Sequence, residues 1–327
     1  MEARAAFGQS PSSRRLLVCF SPFAGARSGE RRVREIAAAL SAAGYHPHLT
    51  SDLAELASLA NEWQLAGELR CILACGGDGT AAAVRNHTPL DSALLLVPMG
   101  TENLLGNYIS QGPSPAAVVE TVESGVVVSL DLGRARGRDG EEQVFLSMIS
   151  AGFDAEVVRL FHQRRRGNVT RLSYIQPTLE VIRSYRYPEL QVYCGGAAAP
   201  RNDSIRCRWV FGFNLPLYAR GWKVAPDAVA TDGLLDVCTF ERGSVGNVGR
   251  YLWHVIWGSH LRLSDAKLSR SPRLRIEAAD GSDVAYQVDG DLGGSLPVDV
   301  DVLDGGLRLL VTSAVARRLD FQFPQTR

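Results

Sequence analysis

Between Arg14 and about Leu130 the chain alternates short, unbroken apolar runs with stretches of helical period, and this alternation narrows the fold more than any other feature. Leu16-Leu17-Val18-Cys19-Phe20 is followed by Val33, Ile36, Ala37 and Leu40 at helical spacing. Leu53 to Ala66 again has helical period, Cys71 to Cys75 is an apolar run, Thr80 to Asn86 starts a helix, and Ala93 to Val97 is apolar once more. A strand apolar at every position is covered on both faces, so such strands separated by helices predict a parallel sheet between two helical layers. Ligands of sheets of this kind bind at the carboxyl ends of the strands.

Beyond Asp131 the pattern changes to Gln143–Met148, Arg208–Phe213, Leu234–Phe240, Arg273–Ala278 and Val298–Leu303, broken by Gly, Asp and Pro. This half reads as antiparallel sheet, interrupted by helical segments around Tyr174–Tyr185 and Val248–Leu261. Arg134–Gly140 and Gly195–Pro200 read as hairpin loops. The expected architecture is an α/β N-terminal domain with a three-layer, parallel-type sheet over residues 1–130, to which 307–327 return, and a β-rich antiparallel sandwich over 131–306.

A chain of 327 residues, 46% hydrophobic and 21% charged, has the composition of a globular protein of about two domains. Lys+Arg and Asp+Glu both number 35, so no overall field attracts nucleic acid, and none is expected as a partner. Met1 to Ser13 has no apolar core of signal-peptide length, and runs such as Ala93–Met99 are too short to span a bilayer. The expectation is a cytoplasmic protein, at most peripheral to a membrane. Cys19, Cys71, Cys75, Cys194, Cys207 and Cys238 form no C-x-x-C pair and read as buried thiols, with no structural zinc.

Cys75-Gly76-Gly77-Asp78-Gly79-Thr80 lies directly after one apolar strand and directly before a helix. Glycines there let backbone amides approach a phosphate, and the helix N-terminus adds donors. Asp78 then has two readings: a magnesium-linked carboxylate, acting through water, or a helix cap. A second junction, Val97-Pro98-Met99-Gly100-Thr101-Glu102-Asn103, offers Gly100, Thr101 and Asn103. The first strand ends in Ser21-Pro22-Phe23-Ala24-Gly25, with Arg27 following. Three such loops at strand ends point to a nucleotide site.

From Leu16 to about Val311 the sequence resembles the diacylglycerol kinase catalytic superfamily, which includes bacterial lipid kinases and sphingosine kinases. Ser21, Pro22 and Gly25 resemble its Asn-Pro-x-Ser-Gly loop, and Thr50 falls at its adenine-side threonine. Gly76, Gly77, Asp78, Gly79 and Thr80 match Gly-Gly-Asp-Gly-Thr, while Gly100-Thr101-Glu102-Asn103 resembles Gly-Thr-x-Asn. Gly221 to Val237 resembles a segment ending Asp-Gly-x-Leu-Asp; the resemblance implies a structural magnesium held by the Asp232 carboxylate and the carbonyls of Val229 and Leu234. Asp291, in Gln287-Val-Asp-Gly-Asp291, stands where the family has the acidic residue that acts as general base. The family commonly has Asp where this chain has Leu104, and Glu where it has Asp291.

The implied function is an ATP-dependent lipid kinase of lipid metabolism and phospholipid biosynthesis. ATP donates the phosphoryl group, Mg2+ bridges its phosphates near Asp78, and Asp291 takes the proton of a lipid hydroxyl. Diacylglycerol and sphingoid-type acceptors stay open, as does a homodimer. An NAD kinase-like enzyme, or a catalytically silent nucleotide- or lipid-binding protein, are the alternatives. For lipid contact, Val248–Leu261 carries Tyr251, Leu252, Trp253, Val255, Ile256 and Trp257, which suit core packing, an acyl-chain cleft or a bilayer interface. Arg164, Arg165, Arg166 and Arg171 suit anionic head groups or a solvated loop.

Overall fold

A computed structural model describes residues 13–21, 26–100, 103–109, 112, 114–164, 175–198, 200, 203–216, 218 and 221–322. The chain divides into two compact units, Met1–Leu130 with Gly305–Arg327, and Asp131–Asp304.

In the first unit β1 (Arg15–Phe20), β2 (His46–Thr50), β3 (Leu69–Gly76) and β4 (Leu94–Pro98) form a parallel sheet in the order β2-β1-β3-β4. Every residue of β3 is buried, as its unbroken apolar run requires. Leu16 and Val18 turn to one face, against Val33, Ile36 and Leu40 of α1 (Ala26–Ala42) and Val118 and Val122 of α5 (Pro115–Ser124). The opposite face meets α2 (Leu53–Leu65) and α3 (Asp78–His87). The returning end of the last strand, β16 (Val298–Val311), pairs in parallel through Leu309 with Leu94, and α9 (Ser313–Gln322) follows it.

The second unit is antiparallel. One sheet has the order β12-β11-β10-β7-β14-β15, built from β7 (Met148–Ala151), β10 (Trp209–Phe213), β11 (Leu235–Phe240), β12 (Ala266–Ser271), β14 (Ala285–Val288) and β15 (Asp291–Ser295). In the other, β8 (Leu190–Cys194) pairs with β9 (Ile205–Cys207) and with β13 (Arg273–Ala278), which pairs in turn with the start of β16. Ile149, Val210, Leu235 and Val288 from the first sheet pack on Val192, Leu274, Ile276 and Val298 from the second, so the unit is a sandwich.

Three helices cover the outer face of the six-stranded sheet. Strand period 2 sends Val210 and Gly212 into the sandwich and Trp209, Phe211 and Phe213 outward. There the aromatics meet Phe153 and Val157 of α6 (Phe153–Arg164), Val181 of α7 (Ile175–Ser184), and Val248, Tyr251 and Val255 of α8 (Val245–Ile256).

Two sequence expectations change. Gln143–Met148 is not one strand: β6 (Glu142–Phe145) stops and β7 begins at Met148, because the amides of residues 146–148 bind a carboxylate. The helix α6 was not anticipated at all.

Candidate active site

The loops after β3 and β4 lock together. Met99 N–H donates to the Gly76 carbonyl at 2.8 Å. Gly77 and Gly100 pass backbone to backbone, and a Cβ on Gly100 would lie 2.6 Å from Gly77 Cα and 2.9 Å from Asn103 Oδ1. Close approach, rather than turn freedom, thus requires glycine at position 100. Asn103 sits in the left-handed region at φ 48°, which its residue type tolerates. Its Oδ1 accepts from Gly100 N–H at 2.9 Å and its Nδ2 donates to the Gly100 carbonyl at 2.7 Å, closing the second loop on itself.

Asp78 opens α3, with Gly77 at the N-cap. Its carboxylate accepts from Leu104 N–H at 2.8 Å and Leu105 N–H at 3.1 Å, the first residues of α4 (Leu104–Tyr108). Of its two sequence readings the cap is present, but the helix capped is the neighbouring one. Gly79 is exposed in the first turn of α3, and Thr80 follows half-buried.

Beside these loops, at the carboxyl ends of β1 and β2, is a cavity of about 420 Å³ lined by Phe20, Val33, Leu49, Thr50, Asp52 and Glu55 among others. The buried Thr50 hydroxyl donates to the Glu55 carboxylate and accepts from Asp52 N–H at 3.0 Å. The Thr50 and His48 side chains hold the Glu55 carboxyl below the ordinary range. Glu55 was not singled out from sequence, although Asp52-x-x-Glu55 has capping-box spacing. Ser21 directly follows β1, whereas Pro22, Gly25 and Thr101 lie outside the described residues, as do Arg165, Arg166 and Arg171. Arg164 pairs with Glu180 at 2.7 Å.

In the second unit Asp291 opens β15 after a two-residue hairpin turn whose central residues, Asp289 and Gly290, have φ 50° and 89°. Asp-Gly with both φ positive is the turn whose twist matches paired strands. The Asp289 carboxylate accepts from the N–H groups of Leu146, Ser147 and Met148 at 2.6, 2.8 and 3.0 Å, anchoring the turn. Gly290 N–H donates to Gln287 Oε1 at 2.7 Å, and Gln287 Nε2 donates to Ser150 Oγ at 2.7 Å. Ser150 donates in turn to the buried Asp154 at 2.6 Å, which also accepts from Trp209 Nε1 at 2.6 Å. Burial pushes the Asp154 carboxyl above the ordinary carboxylate range. The Asp291 side chain stays 46% exposed, with His162 Nε2 of α6 at 3.3 Å from Oδ1. Sequence reasoning missed His162 because it lies on the unanticipated helix.

Val229, Asp232 and Leu234 share one loop, where Asp232 Oδ1 accepts from Leu234 N–H at 3.0 Å and the buried Asp131 accepts from Gly233 N–H at 2.8 Å. Among the described residues no three His, Cys, Asp or Glu side chains gather as a metal cluster.

Residues 15–135 match the Diacylglycerol kinase catalytic domain, and residues 147–311 match the YegS C-terminal NAD kinase beta sandwich-like domain. The chain belongs to the diacylglycerol kinase family. Within that family it is 25% identical over 241 residues to a diacylglycerol kinase of Mycobacterium tuberculosis, covering 73% of this chain and 76% of the relative. It is 21% identical over 292 residues to a diacylglycerol kinase of Staphylococcus aureus, covering 88% of this chain and 89% of the relative. In fold it resembles a crystal structure of a diacylglycerol kinase from Bacillus anthracis, with TM-score 0.61 at 16% identity over 93% of this chain and 99% of that one.

Proposed function

We propose that this protein transfers the γ-phosphoryl group of ATP to the hydroxyl of a lipid, with diacylglycerol as the leading acceptor. The observation that carries the reading is the interlock of the two glycine loops, Gly77 against Gly100 with Asp78 bound across them, at the carboxyl ends of β3 and β4. That interlock fixes the backbone at the N-terminus of α3, a place suited to phosphate oxygens, and positioning of this kind supplies most of the catalysis in phosphoryl transfer.

The apolar wall of Phe20, Val33 and Leu49 suits a purine ring, and Thr50 with Glu55 supplies polar atoms at its edge. Asp291 accepts the proton of the attacking hydroxyl; its turn, pinned by Asp289, holds the carboxylate at the start of β15. Magnesium, bound with the triphosphate, neutralises charge on the phosphate oxygens. Asp78, at the start of α3 and accepting from Leu104 and Leu105 N–H, suits a water-mediated contact to it as a carboxylate inside the glycine loop. A structural magnesium in this loop would be held by the Asp232 carboxylate, whose Oδ1 accepts from Leu234 N–H, and by the carbonyls of Val229 and Leu234.

Incubating the pure protein with γ-labelled ATP and a lipid extract, with NAD in parallel, tests the proposal. A labelled lipid is expected. Labelled NADP in place of lipid would favour an NAD kinase, and ATP binding with no transfer would favour a silent binding protein.

A further inference from the structure

The helix α6 meets the Asp291 turn at two points, one through the backbone and one through the side chain. The first runs from Gly290 to Asp154, in the first turn of the helix. Gly290 N–H donates to Gln287 Oε1 at 2.7 Å, which turns Gln287 Nε2 toward Ser150 Oγ, also at 2.7 Å. Ser150, having accepted that bond, donates its own proton to Asp154 Oδ2 at 2.6 Å, and Trp209 Nε1 donates to Asp154 Oδ1 at 2.6 Å. Gln287, Ser150 and Asp154 are all buried, so the chain of donors keeps one polarity and holds the turn firmly to the helix.

The second point lies two turns further along. Asp154, Val158 and His162 recur at steps of four, so they share one face of α6, and that face packs on β14 and β15. His162 Nε2 stands 3.3 Å from Asp291 Oδ1. The arginines beside it on the helix are engaged elsewhere: Arg159 with Glu156 at 2.8 Å and Asp283 at 3.2 Å, and Arg164 with Glu180 at 2.7 Å. An aspartate carboxylate turns about two side-chain bonds, and a partner on one oxygen restrains both. A base whose direction is set by a third group in this way is a recurring arrangement in catalysis.

We infer that His162 is the positioning residue of Asp291: with a proton on Nε2 it holds Oδ1, leaving Oδ2 to receive the proton of the acceptor hydroxyl, while Asp154 and Gln287 fix the backbone beneath. His162 itself neither gives nor takes a proton in that step. The inference rests on the proposed role of Asp291 as base, but one arm of its test needs no turnover.

The test compares His162→Ala and His162→Gln, each in the wild type and in Asp291→Ala. Alanine should lower kcat by about ten- to a hundredfold with KM for ATP, melting temperature and elution volume unchanged. Glutamine, whose amide nitrogen reaches about as far as Nε2, should recover most of that loss. In the Asp291→Ala background, His162→Ala should add less than about a twofold effect, because no carboxylate is left to position. Wild-type kcat in the alanine variant, or the same loss in both backgrounds, overturns the inference. The second arm follows the ring 15N signals of His162, assigned by their absence from His162→Gln. They should show a proton on Nε2 and shift in Asp291→Ala, and this arm stands if His162→Ala does not fold. Unmoved ring signals overturn the contact itself. A shift in a protein that gives no lipid product would overturn the kinase reading while the contact stands, so the two fail separately.

Discussion

The Asp78 carboxylate accepts a hydrogen bond from Leu104 N–H at 2.8 Å, so the residue proposed to sit beside the nucleotide's magnesium also ties the two glycine loops together. Replacing it therefore has two consequences. Asp78→Asn should abolish detectable phosphoryl transfer and also lower stability by about 1–2 kcal/mol, because an amide offers one acceptor oxygen where the carboxylate offers two. Thermal melts beside an ATP-turnover assay check both. A variant as stable as the wild type would show that the α4 cap contributes nothing.

Gly100→Ala probes the interlock itself. An added methyl would meet Gly77 Cα at 2.6 Å, which the backbone relieves only by moving one loop off the other. The expected outcome is a loss of roughly 1–3 kcal/mol in stability with much weaker ATP binding, measurable by denaturant titration and calorimetry. Unchanged ATP affinity would separate the interlock from nucleotide binding.

The anchoring of Asp291 by its neighbour is testable in the same way. Asp289→Ala removes the acceptor for three amides and places alanine at φ 50°, while Asp289→Asn keeps the left-handed preference and one acceptor oxygen. Turnover should fall in both, by about a hundredfold for the alanine if Asp291 shifts by about 1 Å, and by less for asparagine. A ratio of kcat in the opposite order would contradict the anchor.

Asp154 makes a pH prediction. Its folded pKa is raised by burial, so the folded state binds the proton more tightly than the unfolded chain does. The stability it contributes is therefore complete below the unfolded carboxylate pKa of about 3.9 and is lost as pH rises through the raised folded value. Melting temperatures of wild type and Asp154→Asn, followed from acid to neutral pH, should show the wild type's relative advantage shrinking as pH rises. An advantage that grows with pH would reverse the sign.

The two halves were not equally readable. Strands buried on both faces leave continuous apolar runs such as Leu69–Gly76, and loops bearing glycine are visible without knowing what they touch. The α6 helix escaped notice although Phe153, Val157 and Phe161 have its period, because it starts two residues after β7 and its apolar face continues the strand's run. Asp289 was beyond sequence reasoning for a different reason. Its partners are backbone amides up to 143 residues upstream, and a backbone amide carries no residue identity to recognise. Asp78 was read as a metal-linked group or a cap, but which helix it caps depends on the register of two loops in space.

The most direct measurement is turnover of γ-labelled ATP with diacylglycerol by wild type and Asp291→Asn, alongside nucleotide affinity. Asparagine keeps the size and much of the hydrogen bonding, including contact with His162, and removes the proton acceptor. The account predicts labelled phosphatidic acid from the wild type, a fall in turnover of roughly 10²- to 10⁴-fold in the variant, and little change in ATP binding. Wild-type turnover in the variant, or no lipid product from the wild type under conditions where it binds ATP, would contradict it.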